Sequence, residues 1–286
     1  MIHIEQSERM SSMKKEELLQ LIAETIQESD GMIVPLEDGS PLTLFDEPLV
    51  GFASASDALF DQYKQPGVIG PAYMKPEEWL PGAKTVISLF MPFSEQLRKS
   101  NYGDIEHTSP EWLRGRIEGQ AFITNFTGNL KNKLEKLGVA ACVPALDSRF
   151  KVIRHDLGTP EAPDRFFEST WSERHAAYAS GLGTFGLHKG LITEKGCAGR
   201  YCSIIVDLEL EAKPRDYTGI FDYCTRCGAC IPRCAACAIT QEHAKNHALC
   251  QDRQEMLKLR YAPRFGCGKC QTSVPCESRN PSRKKA

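Results

Sequence analysis

No stretch of the sequence approaches the roughly 18 to 20 consecutive apolar residues that a membrane-spanning helix needs, so no span is expected. The opening residues MIHIEQSERM hold neither an apolar signal core nor a twin arginine. The expectation is a cytoplasmic protein with no membrane contact. No internal repeat is present and no compositional bias either: 41% of residues are hydrophobic and 25% charged. That balance is ordinary for a globular chain and excludes wholesale disorder and a coiled coil. What the sequence holds in excess is cysteine. There are 12 in 286 residues, and nine of them fall between Cys224 and Cys276. In a reducing compartment this density does not read as a disulfide framework, which leaves metal or redox chemistry.

The net charge of −2 conceals an asymmetry. Residues 224–286 carry 12 Lys and Arg against 4 Asp and Glu, whereas residues 1–223 carry 23 against 33. The change coincides with the start of the cysteine cluster and suggests a domain border between Tyr217 and Tyr223. Two domains are expected, 1–218 and 219–286. A basic module can meet nucleic acid or an acidic partner, or its charge can offset anionic metal–thiolate centres.

Hydrophobic period and cap signals organise the larger part. Residues 12–29 place Leu18, Leu21, Ile22 and Ile26 on one helical face, capped by Ser11 or Ser12. Residues 31–82, rich in Pro, Gly and Asp, read as an extended, loop-rich segment packed on something else. Thr85 to Met91 is a buried strand closed by Pro92. A long helix follows from Pro110 to Leu137, with Ser109 as cap, Pro110 at the first position and Gly138 as stop. Val139 to Leu146 reads as a strand, Glu173 to Ser180 as a short helix between Ser172 and Gly181, and Cys202 to Leu210 as a closing strand. Alternating strands and helices point to a mixed α+β layer structure.

Cys224-x2-Cys227-x2-Cys230-x3-Cys234 has the spacing of a bacterial two-cluster ferredoxin, in which three cysteines hold one iron–sulfur cluster and the fourth turns to the other. Two intervening residues let a tight loop aim successive thiolates at one cubane. Cys250, Cys267, Cys270 and Cys276 supply the complement. Crossing the sets assigns Cys224, Cys227, Cys230 and Cys276 to one [4Fe–4S] cluster and Cys234, Cys250, Cys267 and Cys270 to a second. Ala235 stands where proline is common, and five residues rather than three separate Cys270 from Cys276, which leaves the assignment of Cys276 the most open. Zinc on two CxxC pairs is the alternative; it leaves Cys230, Cys234, Cys250 and Cys276 without a role. Cys237 reads as a packed free thiol, and Cys142, Cys197 and Cys202 as structural.

Gly181, Gly183 and Gly186 match GxGxxG by letter. The dinucleotide fingerprint must follow a strand and open a helix, whereas SERHAAYAS before these glycines is helical, so nicotinamide cofactor binding is discounted. The segment WSERHAAYASGLGTFGLHKGLIT (Trp171 to Thr193), followed some 30 residues later by the paired cysteine motif, resembles the epoxyqueuosine reductases and their relatives, the corrinoid reductive dehalogenases. Glu173, Arg174, Ala177, Gly181, Leu182, Gly183 and Gly186 carry the resemblance, which covers roughly residues 165–280. It implies a nitroreductase-like α/β core that binds cobalamin, followed by a small ferredoxin-like domain with two [4Fe–4S] clusters. Gly181, Gly183, Thr184, Phe185 and Gly186 would approach the corrinoid. Where those reductases carry an acidic proton donor six positions before the Glu-Arg pair, this sequence has Phe167; Glu168 and Asp164 are the nearest replacements. The family lysine is absent, although Lys189 is close, and so is a C-terminal helical-repeat extension. A divergent member is therefore expected.

The function so implied is a cobalamin- and iron–sulfur-dependent reductase that breaks a carbon–oxygen or carbon–halogen bond, with Glu168, His175, Tyr178 or Asp164 as acid. Its electrons would come from a low-potential donor of the ferredoxin or flavodoxin type, and its substrate would be a small molecule or modified nucleoside. The alternative is an electron carrier or activase that reduces a partner's corrinoid or redox centre. A transfer-RNA substrate, suggested by Arg253, Lys258, Arg260 and Arg264, is disfavoured by the acidic larger part.

Overall fold

The computed structural model describes residues 13–155 and 167–283. Its first helix, α1 (Lys15–Glu28), is followed by a small hairpin of β1 (Ile33–Pro35) and β2 (Pro41–Thr43), then β3 (Leu49–Ser54), α2 (Ala58–Gln62) and α3 (Pro76–Trp79). Next come β4 (Thr85–Pro92), α4 (Glu95–Ser100), the long α5 (Pro110–Lys136), β5 (Ala141–Cys142), β6 (Val152–Arg154) and β7 (Phe167–Ser169). The chain continues through α6 (Glu173–Ala179), β8 (Gly183–Phe185), β9 (Leu191–Thr193), β10 (Gly199–Val206), β11 (Ile239–Thr240), β12 (Ala244–Lys245) and α7 (His247–Tyr261). This is a mixed α and β architecture. Among the described residues no helix is long and apolar enough to cross a membrane.

The central sheet has the order β3-β4-β10-β5 and is antiparallel throughout, with Leu49 opposite Phe90 and Val206 opposite Thr85. All eight residues of β4 are buried, because helices cover both faces. Ile87, Leu89 and Met91 point to a core shared with Leu18 and Ile22 of α1 and Phe122, Phe126, Leu130 and Leu134 of α5. Val86 and Phe90 point the other way, toward Ala176 and Ala177 of α6. The strand period of two therefore sorts one apolar run onto two faces. The alanines of α6 let it lie close to the sheet. A Cβ on Gly51 of β3 would stand 2.3 Å from the Ser180 carbonyl oxygen.

The long helix keeps its expected ends: Ser109 Oγ accepts from the Trp112 N–H at 3.1 Å, and Gly138 follows the C-cap. Other boundaries shift for local reasons. Helix α1 starts at Lys15, with the Glu17 carboxylate accepting from the Lys14 N–H at 3.0 Å; Ser11 and Ser12 lie outside the described residues. The strand expected over Val139 to Leu146 is only Ala141–Cys142, because Pro144 cannot donate to a ladder and opens a 3-10 turn, Pro144–Leu146. The closing strand starts at Gly199 and ends at Val206, after which the Asp207 carboxylate accepts from the Ala140 N–H at 2.9 Å. The segment read as loop-rich contributes β3, an edge strand of the central sheet.

The cysteine-rich segment is tied to the larger part by its basic residues. Arg253 pairs with Glu106 at 2.9 Å and Arg264 donates to Glu118 at 2.7 Å. Arg233 donates to the carbonyls of Asn101, Tyr102 and Thr272, and Lys269 Nζ to that of Asn101 at 3.0 Å. Tyr217, Tyr223, Cys230, Val274 and Cys276 share one apolar cluster with Phe90, Leu187, Leu191 and Ile192.

Candidate functional site

Cys224, Cys227, Cys230 and Cys276 line one small internal pocket, walled by Leu187, Ile192 and Val274. The first three sit on a loop that bends through positive φ at Arg226 and Gly228. Its start is fixed where the Tyr223 N–H donates to Thr184 Oγ1 at 2.8 Å. Cys276 arrives from the far end of the chain, with its carbonyl accepting from the Cys197 N–H at 2.9 Å. Cys197 Sγ lies 3.9 Å and His188 Nε2 3.5 Å from the Cys276 sulfur. The thiol of Cys197 and the His188 ring hold the Cys276 thiol well below its ordinary pKa, against the effect of burial. Burial pushes Cys230 up to about 12. His188, Cys197 and Cys276 also form a three-donor group with ligand atoms within 4.8 Å of one another, and Cys276 belongs to both constellations.

Cys234, Cys250, Cys267 and Cys270 line a different and larger space, a cavity of about 600 Å³. It lies between α5, the β6–β7 hairpin, the start of α6 and the cysteine-rich segment. Gly268, between two of its cysteines, has φ +68, and a Cβ there would stand 2.0 Å from the Trp112 ring. Only glycine lets the cysteine loop settle on α5 at this point. The other walls are aromatic and cationic: Trp112, Phe167, Trp171 and Tyr201, with Arg116, Arg174 and Arg200. Burial pushes Cys270 up to about 12. Glu173 is the one carboxyl on the cavity wall among the described residues. Its carboxyl is buried beside Ser203 and Trp171, whose hydroxyl and indole N–H are bonded to each other at 2.9 Å. Burial raises its pKa to about 8, so at neutral pH it is largely a neutral acid.

The expected acids are placed differently. Phe167 and Ser169 line the cavity, so strand alternation turns Glu168 to the opposite side. There it accepts from the Ala72 N–H at 3.3 Å and pairs with His155 at 3.2 Å. His175 packs on Tyr63 and Phe185 and bonds Ser172 Oγ at 2.7 Å; burial lowers its pKa to about 3. Tyr178 packs on Phe185 and Tyr217. None of Glu168, His175 and Tyr178 is among the described residues lining the cavity, and Asp164 lies outside the described residues. The candidate corrinoid residues Gly181, Gly183, Thr184, Phe185 and Gly186 do not line it either. Gly181 turns the chain out of α6 at φ +73, and the other four belong to the β8–β9 hairpin, where a Cβ on Gly183 would meet the Ile192 carbonyl oxygen at 1.9 Å.

Cys237 lines neither space but is exposed at a positive φ rather than packed, because the turn that carries it projects outward. Cys142, Cys197 and Cys202 are buried as expected. Sequence reasoning missed Arg116 and Arg200. The signal for Arg116 was present: it lies four residues after Trp112 on the buried stripe of α5, where a cation is out of place.

The donor chemistry fits two iron–sulfur clusters. Cys224, Cys227, Cys230 and Cys276 border the small pocket, and Cys234, Cys250, Cys267 and Cys270 border the cavity together with Cys202, a division compatible with the expected ligand sets. Metal binding would take the protons from these buried thiols. The apolar, open cavity beside the second group has the character of a ligand site.

The fold has counterparts among proteins of known structure. No family model matches the chain, and no curated protein matches it. Among solved structures, it is similar to the epoxyqueuosine reductase of Streptococcus thermophilus, with 17% identity and a TM-score of 0.50 over 91% of this chain and 66% of that one. It is also similar to the catabolic reductive dehalogenase NpRdhA, with 14% identity and a TM-score of 0.52 over 92% of this chain and 37% of that one. A third likeness is to a reductive dehalogenase described in connection with B12-dependent dehalogenation, with 15% identity and a TM-score of 0.50 over 91% of this chain and 36% of that one. The chain thus spans about two thirds of the epoxyqueuosine reductase and little more than a third of the dehalogenases. The resemblance read from Trp171 to Thr193 and the cysteine spacing extends, as fold, over most of the chain.

Proposed function

We propose that the protein is an iron–sulfur oxidoreductase that uses a corrinoid to cleave a carbon–oxygen or carbon–halogen bond reductively. The observation that carries this reading is the partition of eight cysteines between a small pocket and a cavity of about 600 Å³. Two clusters there would supply electrons singly, taken from a low-potential donor of the ferredoxin or flavodoxin type, and a corrinoid supplies the two-electron cleavage when bound. The Cys224 set would hold the cluster buried against Leu187 and Ile192, and the Cys234 set the one at the cavity. The likeness in fold to a dehalogenase tied to B12 chemistry supports the corrinoid.

The chain's own residues do the rest. Trp112, Phe167 and Trp171 exclude water from the reacting molecule, and the glycine hairpin braces the loop of Cys224 through Thr184. The reduction takes up two electrons and a proton and releases the leaving group as an anion. Glu173, neutral at working pH and set in the wall, is the proton source nearest to hand, while Glu168 and His175 stabilise the surrounding structure. The substrate is a small molecule. Arg253, Lys258, Arg260 and Arg264, which would serve a transfer RNA, all have intramolecular partners.

Anaerobic reconstitution with hydroxocobalamin, followed by iron, sulfide and cobalt quantitation, tests the reading. About eight irons with about one cobalt per chain is the expected result. The same iron without cobalt would turn the reading to an electron carrier, and zinc in place of iron would remove both.

A further inference from the structure

Arg116, Arg174 and Arg200 line the cavity, and among the described residues none of the three forms an ion pair. Arg116 stacks on Phe265, with its guanidinium carbon 4.6 Å from the ring centroid, and its Nε is buried without a hydrogen-bond partner. Arg200 donates to Gln120 Oε1, and Arg174 to the Lys189 carbonyl. These are neutral acceptors that leave the charge uncompensated. The other arginines of the wall differ: Arg253 is paired with Glu106, and Arg233 is spent on backbone carbonyls. Burial, and then the nearby Arg116, lower the pKa of Arg200 to about 10. Two like charges held together out of water are costly, and the cost is removed when an anion sits between them. A cluster on the Cys234 set is itself anionic and lies near Arg116 and Arg174, both of which sense Cys250. Arg116, Gln120 and Arg200 also border an open depression of about 710 Å³ on the side of Phe265, which gives an incoming ligand a cationic entry.

We infer that the cavity binds a small oxyanion-bearing molecule with an apolar or aromatic body, its anionic head between Arg116 and Arg200 and its body against Trp112 and Phe167. The inference deepens the reading of the cavity as the reaction site. The head is either the carboxylate of a substrate or a phosphate, including that of a nucleotide tail; both are oxyanions suited to the planar guanidinium fork.

Isothermal titration calorimetry of the reconstituted full chain tests it, with benzoate and inorganic phosphate as probes. Benzoate is expected to bind one per chain, with Arg116→Gln and Arg200→Gln each weakening it tenfold or more. Arg200→Lys, which keeps the charge, should retain part of the affinity even if a glutamine variant folds poorly. Tighter phosphate than benzoate with the same arginine dependence assigns the head to phosphate. Absence of both, binding unchanged in the arginine variants, or an RNA stem-loop that binds through these arginines when neither small anion does, overturns the inference. Cobalt retained without anion binding would remove only the inference. Anion binding by protein that takes up no cobalt would remove only the corrinoid reading.

Discussion

The two cysteine sites have the same four thiols and opposite surroundings. The Cys224 set lies against Leu187, Ile192 and Val274 with Cys227 exposed, and His188 and Cys197 reach its one distant member, Cys276. The Cys234 set faces a cavity walled by arginines and aromatic rings. An iron–sulfur group in the first place would have little room for a ligand beside it, while one in the second would stand where a bound molecule could receive charge. Hydrogen bonds, net charge and solvent exposure set cluster potentials, so identical ligands acquire different roles from their walls.

The largest effect expected is on metal content. Cys227→Ser and Cys267→Ser should each remove about four of about eight irons, read by iron and sulfide quantitation. Loss of all iron in both variants would mean that the two sites fold as one unit, and no loss in either would contradict the ligand sets. The walls should differ next. Leu187, 2% exposed, closes the small pocket, and Leu187→Ala should cost about 2–5 kcal/mol by denaturant titration. Phe150 lines the cavity at 37% exposure, and Phe150→Ala should stay within about 1 kcal/mol. Equal costs would erase the distinction between a packed and an open site.

A pH series probes the cavity wall through Glu173. The folded-state pKa of Glu173 is raised to about 8, so between its unfolded value and pH 8 the folded chain holds a proton that the unfolded chain has lost. Stability from this group is complete at low pH and declines as pH rises, by at most about 1.4 kcal/mol per unit. His175 and His247, both lowered to about 3 by burial, act with the opposite sign below their ordinary pKa near 6.5. Between pH 6.5 and 8 Cys276, held below its ordinary pKa, acts against Glu173, so the Glu173 contribution is read as a difference: Glu173→Gln should make the change of stability with rising pH more positive than in the unsubstituted chain. An unchanged slope would show that the carboxyl is not held neutral. The smallest effect is expected outside both sites: Cys237→Ser should leave iron content unchanged, because this exposed thiol lines neither space.

The elements legible in the sequence were those whose signals are local. The buried run Thr85 to Met91, the capped helix from Ser109 to Gly138 and the short helix before Gly181 all carry their own periodicity or caps, and each lies where expected. Val139 to Leu146 failed as a strand because Pro144 outweighed its apolar composition. The extended piece Leu49 to Ser54 could not be placed in the central sheet, since its partner, β4, lies more than 30 residues away. Cys276 was the weakest of the eight ligands by spacing, because it reaches its set through the backbone pairing of Cys197 with the chain end. Glu168 looked like a replacement acid beside Phe167, but a strand turns neighbouring residues to opposite faces.

By itself the sequence singled out eight cysteines by their spacing and suggested how they divide, with Cys276 the least certain. Ligand spacing within a loop is a short-range property that the chain order already contains. Only the tertiary structure decided which of the two groups borders a large cavity, and that Arg116, Arg174, Arg200 and Glu173 share that cavity's wall. Those residues come from a helix, a sheet strand and a helix start far apart in the chain. Their meeting depends on long-range packing, which leaves no trace in local spacing.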